Sequence, residues 1–238
     1  MRSLVVFDID GTLIDSRVVD TDACFFPALR EALGIEGFGD DWTGYAEPTS
    51  AGVFDEICRK VRGRPPTDAE AAALTERLEV LMRARYLDGT RIPAIPGAIE
   101  LLARLGTEPA WRVAVATGNW SREAAIKIES AGLPLAGLPL ATASDRPART
   151  DIFPLAVERA SAHYGVPAWD RVVFVGDGIW DVRAARANGY AFVGIALGER
   201  AAKLHAEGAR AVTRDLTDPD RVLALLAEAV PPGPAFAP

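Results

Sequence analysis

Leu4-Val5-Val6-Phe7-Asp8-Ile9-Asp10-Gly11-Thr12 is the stretch that decides the fold. Its first four residues have no polar face, the pattern of a strand buried on both sides in a parallel sheet. Side chains two apart on a strand point the same way, so Asp8 and Asp10 emerge together where the strand ends. Gly11 then lets the backbone turn away tightly. Ligands of open α/β sheets bind at that carboxyl edge. Two adjacent carboxylates repel unless a cation or a shared proton neutralises them, so the segment calls for a metal ion.

Working outward, four further apolar runs repeat the strand signature: Val113–Ala116, Val172–Val175, Ala191–Ile195 and, more weakly, Ala209–Thr213. Helical patterns separate them. Ser121 is the expected cap of one helix, with Ala124, Ile128 and Ala131 on its core face and Gly132 as its stop. A second covers 151–164, with Thr150 as cap and Pro154 inside the first turn, where a missing N–H costs little. Two more are expected over 179–188 and 218–230. Strands alternating with helices predict an α/β fold, a Rossmann-like doubly wound parallel sheet with right-handed crossovers.

Residues 17–92 break the alternation, because no strand-like run occurs there. They read as helices near 19–33, 51–62 and 68–87, the last opened by the capping box Thr67-Asp68-Ala69-Glu70. The expectation is an all-helical cap inserted into a core built from 1–16 and 93–230. The chain re-enters the core through Ile92-Pro93-Ala94-Ile95-Pro96-Gly97, whose prolines suit a stiff hinge. An insertion rooted beside Asp8 and Asp10 reads as a mobile lid; a helical layer packed permanently on the sheet is the alternative. Residues 231–238 have the composition of a disordered tail.

Composition excludes several partners. The 238 residues include 49% hydrophobic and 25% charged side chains, ordinary for a globular chain with a sizeable core. A net charge of −7 argues against nucleic acid or an anionic membrane as the main partner. No apolar run of about 18 residues is present, and Asp8 interrupts any secretory pattern. Cys24 and Cys58 make no disulfide framework and read as small buried residues, which points to the cytosol.

A second acidic pair follows the 172–175 run, in Gly176-Asp177-Gly178-Ile179-Trp180-Asp181. Asp177 sits at the strand tip and Asp181 one helical turn later, so both can face one point. Four carboxylates from two strand ends make a hard-oxygen site of the kind Mg²⁺ prefers. Between the pairs lies Ala116-Thr117-Gly118-Asn119, where a hydroxyl beside free N–H groups at a helix start would cradle phosphate oxygens. A fixed cation is also needed. Lys60, Lys127 and Lys203 are the only lysines, and none opens the helix between the two later strands. Arg149 does, and is the expected cation, with Arg146 farther out in the loop. His163 and His205 lie on helices without evident partners, and Trp180 reads as a packing residue. The basic run Arg59-Lys60-Val61-Arg62-Gly63-Arg64 is either a solvated face or a holder for an anionic group.

These four elements, in this order, resemble the haloacid dehalogenase superfamily. Its pattern of Asp-x-Asp-Gly-Thr, a strand-end Thr or Ser, a Lys or Arg, and Gly-Asp-x-x-x-Asp is met by Asp8/Asp10, Thr117, Arg149 and Asp177/Asp181. The resemblance spans residues 4 to 198. The helical insertion and Pro96-Gly97-Ala98-Ile99-Glu100-Leu101-Leu102 are similar to the phosphoglycolate phosphatase-like branch, although its Lys-Pro-x-Pro segment is replaced by Arg146-Pro147-Ala148-Arg149-Thr150. The resemblance implies a Mg²⁺-dependent phosphatase acting on a small phosphorylated metabolite through an aspartyl-phosphate on Asp8. Asp10 would be acid and base, and Thr117, Gly118, Asn119 and Arg149 would hold the phosphoryl group. The metal ligands would be Asp8, the backbone carbonyl of Asp10 and Asp177, with Asp181 acting through water. A phosphomutase shares all these residues. A metal-free 2-haloacid dehalogenase is disfavoured by Asp10, and a non-catalytic binding protein by the intact acidic set.

Overall fold

The computed structural model describes residues 2–20, 22–39 and 41–235. Six strands form one parallel sheet: β1 (Ser3–Phe7), β2 (Trp111–Ala116), β3 (Leu140–Ala141), β4 (Arg171–Gly176), β5 (Ala191–Ile195) and β6 (Ala211–Thr213). Their spatial order is β3-β2-β1-β4-β5-β6. The chain therefore winds outward one way from β1 and then crosses back to wind the other way, the doubly wound topology. All five residues of β1 are buried. Successive strand residues face opposite sides, so both faces of the sheet are covered, as the unbroken apolar run required.

Register sets the height of each strand tip. Phe7 stands opposite both Val115 of β2 and Val175 of β4. The Asp8 N–H continues the ladder to the Val175 carbonyl at 2.9 Å. The tips of β1, β2 and β4 are thus level, at the point where the strand order reverses and where α/β folds bind ligands.

Between β1 and β2 lie α1 (Phe25–Leu33), α2 (Ser50–Arg62), α3 (Asp68–Met82) and then α4 (Ala98–Thr107). The next helices are α5 (Ser121–Ala131), α6 (Arg149–Tyr164), α7 (Ile179–Ala187), α8 (Glu199–Ala206) and α9 (Pro219–Glu228). Thr67 and Glu70 form the capping box at the start of α3. The inserted helices α1 and α3 pack together, and α3 rests on α5 of the core. An aromatic group completes that contact. Trp120, just before α5, meets Phe25 of α1 at 5.7 Å and Phe54 of α2 at 6.1 Å between ring centroids.

Several local expectations need correcting. α1 starts at Phe25, because residues 16–18 and 22–24 form turns. Ser121 and Thr150 are helical residues and not caps: Trp120 caps α5, and Ala148 caps α6, whose first residue is Arg149. Pro154 consequently lies beyond the first turn of α6. The Thr150 carbonyl it deprives of a donor instead accepts from Asn188 Nδ2 at 3.0 Å, which replaces the lost hydrogen bond. The strand β3, only two residues at the sheet edge, had no apolar run to announce it. Residues 231–235 carry the proline-rich segment along the core, where Gly233 N–H donates to the Gly208 carbonyl at 2.9 Å; the expected disorder of 236–238 lies outside the described residues. Both cysteines are buried and free. No helix among the described residues is long and apolar enough to cross a membrane.

Candidate active site

The level strand tips deliver the acidic set to one place. Oxygens of Asp8, Asp177 and Asp181 lie within 4.8 Å of one another, with Asp8 and Asp181 buried. Gly11 makes this approach possible. At φ +69°, a Cβ there would sit 2.1 Å from Asp177 Oδ2 and 2.3 Å from its Cγ. Asp181, in the first turn of α7, accepts from the Gly178 N–H at 3.1 Å, so the helix start pins its carboxylate inward.

Burial sets the electrostatics. Desolvation raises the Asp8 pKa well above its usual value, against the pull of Arg149. It also lifts Asp177 to about 7, aided by repulsion from Asp181. Three converging oxygens whose charged forms are this costly match a hard divalent cation, which restores the ionised state. The donor set therefore fits Mg²⁺.

Arg149 lies at the start of α6 and fills the role expected of the fixed cation geometrically. Its Nη1 donates to Asp181 Oδ1 at 2.9 Å and to Asp8 Oδ1 at 3.3 Å. Gly118 makes room for it, since a Cβ there would stand 2.6 Å from Arg149 Nη2. Arg149 Nε is buried without a partner among the described residues, a donor kept in reserve. Arg146 is exposed and bonds only to the Asp145 carbonyl through its side chain.

Thr117 is buried at the tip of β2, one residue beyond the level of Asp8. Its Oγ accepts from Asn119 Nδ2 at 2.9 Å and leaves its own O–H to donate. The expected row of free N–H groups at the start of α5 is only partly there. Trp120 N–H is taken by Glu123 and Ser121 N–H by Ser144 Oγ, because side chains cap this helix. Thr117, Gly118, Asn119 and Arg149 all line the cavity at this edge.

Asp10 takes a different direction from the other three acids. Asn119 Nδ2 donates to its Oδ2 at 2.6 Å, and Lys127 Nζ lies 3.1 Å from each of its oxygens. Lys127, passed over in the sequence, is wholly buried on α5 and is also bound to Asp22 at 2.9 Å and Glu123 at 3.1 Å. Burial works against a charged lysine, but Asp10, Asp22 and Glu123 together hold its pKa well above normal. A signal was available. Lys127 falls three residues after Ala124 and four before Ala131, on the stripe assigned to the core, with Glu123 one turn back.

Asp8, Asp10, Thr117, Gly118, Asn119, Arg149 and Asp177 line a cavity of about 200 Å³, joined by Ser16, Asp22, Trp42, Ser50, Trp180 and Arg200. Trp180 is thus a wall of the cavity, its ring 5.9 Å from Arg149 Cζ, and the reading of it as a packing residue is corrected. The basic run of α2 does not reach the cavity. Arg59 and Lys60 pair with Asp55 and Glu56, and Arg62 and Arg64 pair with Glu70. His163 and His205 also lie outside it, His205 bonding the Ala209 carbonyl at 2.8 Å.

A doubly wound parallel sheet with carboxylates converging at its switch point, and a helical insertion above, defines a class of α/β hydrolases. The chain belongs to the haloacid dehalogenase-like hydrolases, whose family model matches residues 3–189. It is 26% identical over 201 residues to a phosphoglycolate phosphatase of Nitrosococcus oceani, covering 82% of this chain and 84% of the other. It is 29% identical over 202 residues to the Probable phosphatase IndB of Dickeya dadantii, covering 83% of each. Among solved structures it is similar to a hydrolase from Pseudomonas syringae, with a TM-score of 0.67 and 27% identity over 94% of this chain and 98% of that one.

Proposed function

We propose that the chain is a Mg²⁺-dependent phosphatase that hydrolyses the phosphomonoester of a small metabolite through an aspartyl-phosphate on Asp8. The observation that carries this reading is the placement of Asp8. Its carboxylate is gathered with Asp177 and Asp181, while the acid two residues later is held apart by Lys127 and Asn119. Two carboxylates on one strand tip with different surroundings suit two different roles.

Asp8 attacks phosphorus in line and forms an acyl phosphate, dividing one difficult step into two. Asp10 gives a proton to the departing alkoxide, then takes one from the water that hydrolyses the acyl phosphate. Thr117 and Arg149 hold the equatorial oxygens, supplying the charge stabilisation on which phosphoryl transfer depends. Mg²⁺, held by Asp8, Asp177, Asp181 and the backbone carbonyl of Asp10, would offset the charge of the phosphoryl oxygens. The helices inserted after β1 act as a lid that excludes water during turnover. A cavity of about 200 Å³ fits a compact substrate.

A phosphate-release screen across phosphorylated sugars, acids and nucleotides with Mg²⁺ tests the reading. Asp8→Asn should keep the fold and abolish turnover, and EDTA should suppress the wild type until Mg²⁺ is returned. Full turnover by Asp8→Asn would defeat the assignment.

A further inference from the structure

Lys127 is the most completely buried cation among the described residues, and nothing in the phosphoryl-transfer scheme requires it. A lysine is buried only where its charge is matched, and this one is matched three times over. Its partners come from three places. Asp10 belongs to the tip of β1, Glu123 to its own helix, and Asp22 to the segment that leads into the inserted helices. Asn119 Oδ1 accepts from Lys127 Nζ at 2.9 Å, which fixes the amide so that its Nδ2 serves Asp10 and Thr117.

Glu123 extends the network in the same direction. Its Oε2 accepts from Ser50 Oγ at 2.7 Å, and Ser50 opens α2 of the insertion. The Ser50 N–H in turn donates to the Gly118 carbonyl at 2.8 Å, beside the phosphate cradle. Both the Asp22 contact and the Ser50 contact exist only while the insertion is docked on the core. If it lifts, Lys127 loses one carboxylate, and the other is freed from its serine.

Resting on the phosphatase reading above, we propose that Lys127 is a positioning residue that aims the Asp10 carboxyl group toward the leaving-group side of the cavity and makes that aim depend on docking of the inserted helices. Lys127 spans both oxygens of Asp10, so the carboxyl group cannot rotate toward the Asp8–Asp177–Asp181 cluster. The carboxylate that remains once the proton has gone to the leaving oxygen is met by Lys127 Nζ and Asn119 Nδ2. The link through Asp22 and Ser50 ties proton delivery to the closed site. An enzyme built this way donates its proton when water is excluded.

The test compares two esters of different leaving ability. An alkyl phosphate such as glycerol phosphate needs a proton on its leaving oxygen, whereas p-nitrophenyl phosphate does not. Lys127→Met should lower kcat on the alkyl ester about 100-fold, the scale of general acid catalysis, with KM within a few-fold. With p-nitrophenyl phosphate the same variant should still phosphorylate Asp8, giving a burst of one nitrophenolate per site before slow turnover. Asp22→Asn and Ser50→Ala, which leave the buried lysine in place, should shift the two esters apart in the same direction by about tenfold, near the lower end of such effects. They decide the matter if Lys127→Met fails to fold. Equal losses of kcat/KM, which reports the phosphorylation step, on both esters with no burst from p-nitrophenyl phosphate, or no loss on either, in the variants that fold would overturn the role of Lys127 and leave the phosphatase reading intact. A wild-type chain that releases phosphate from no ester would remove that reading and this one together.

Discussion

Replacing Gly11 by alanine probes the proposed metal site through one methyl group. The new Cβ would stand 2.1 Å from Asp177 Oδ2, 2.3 Å from Cγ and 2.9 Å from Oδ1. Turning the carboxylate cannot relieve this, since Cγ itself is in the way and ordinary contact begins near 3.4 Å. The whole Asp177 side chain must move by an ångström or more. Alanine at φ +69° adds backbone strain of about 1–3 kcal/mol, tolerable within a total stability of about 5–15 kcal/mol. Losing support around a metal ligand costs about 10–100-fold in affinity, so displacing the ligand should reach at least the upper end. Titration calorimetry with MgCl₂ measures this, and circular dichroism checks the fold. Because Asp177→Ala removes the obstructed side chain, the double variant should bind Mg²⁺ no worse than Asp177→Ala alone, a strong non-additivity. Wild-type affinity in Gly11→Ala, or additive losses in the double variant, would refute the reasoning.

The same geometry sets three more expectations. Arg149→Met should cut kcat/KM about 100–1,000-fold, as for loss of one preorganised donor, whereas Arg146→Met in the exposed loop should change it less than about twofold; steady-state kinetics on one ester decide between them. Burial raises Asp8 and holds Asp177 at about 7, so Mg²⁺ must displace protons in mildly acidic solution. Apparent Mg²⁺ affinity should therefore rise with pH through the range around 7 where Asp177 titrates, with protons released on binding, measurable by calorimetry in two buffers. Between pH 3.8 and about 7 the folded metal-free chain keeps a proton on Asp177 that the unfolded chain has lost. Its stability from this group thus falls as pH rises through that window, and saturating Mg²⁺ should cancel the fall; scanning calorimetry with and without the ion tests both signs.

What the sequence could determine was whatever depends on near neighbours in the chain. The apolar run before Asp8 specified a strand covered on both faces, and similar runs specified its two neighbours β2 and β4 and, beyond β4, β5. The apolar run placed Asp8 at the sheet edge, and the first turn of α7 brought Asp181 to the side of Asp177, whereas Asp10, beyond the end of β1, turned toward Asn119 and Lys127 and did not join Asp8. Arg149 was legible because a residue opening the helix before β4 faces the same sheet edge. Thr117 was legible as the residue that ends β2.

Only the tertiary structure decided the rest, because it joins residues that no local pattern connects. Lys127 and Asp10 are 117 positions apart, and they meet because the tertiary fold brings α5 and the segment after β1 together. The proline in α6 is accommodated by Asn188, 38 residues beyond the carbonyl it serves. Side-chain caps, which the composition of the helix start leaves open, took the N–H groups of Trp120 and Ser121. Trp180 became a wall of the cavity because the turn before α7 sets it against Arg149. A chain can fix its own strands and strand ends through short-range sterics and burial, but which charges meet inside is settled only when the layers close.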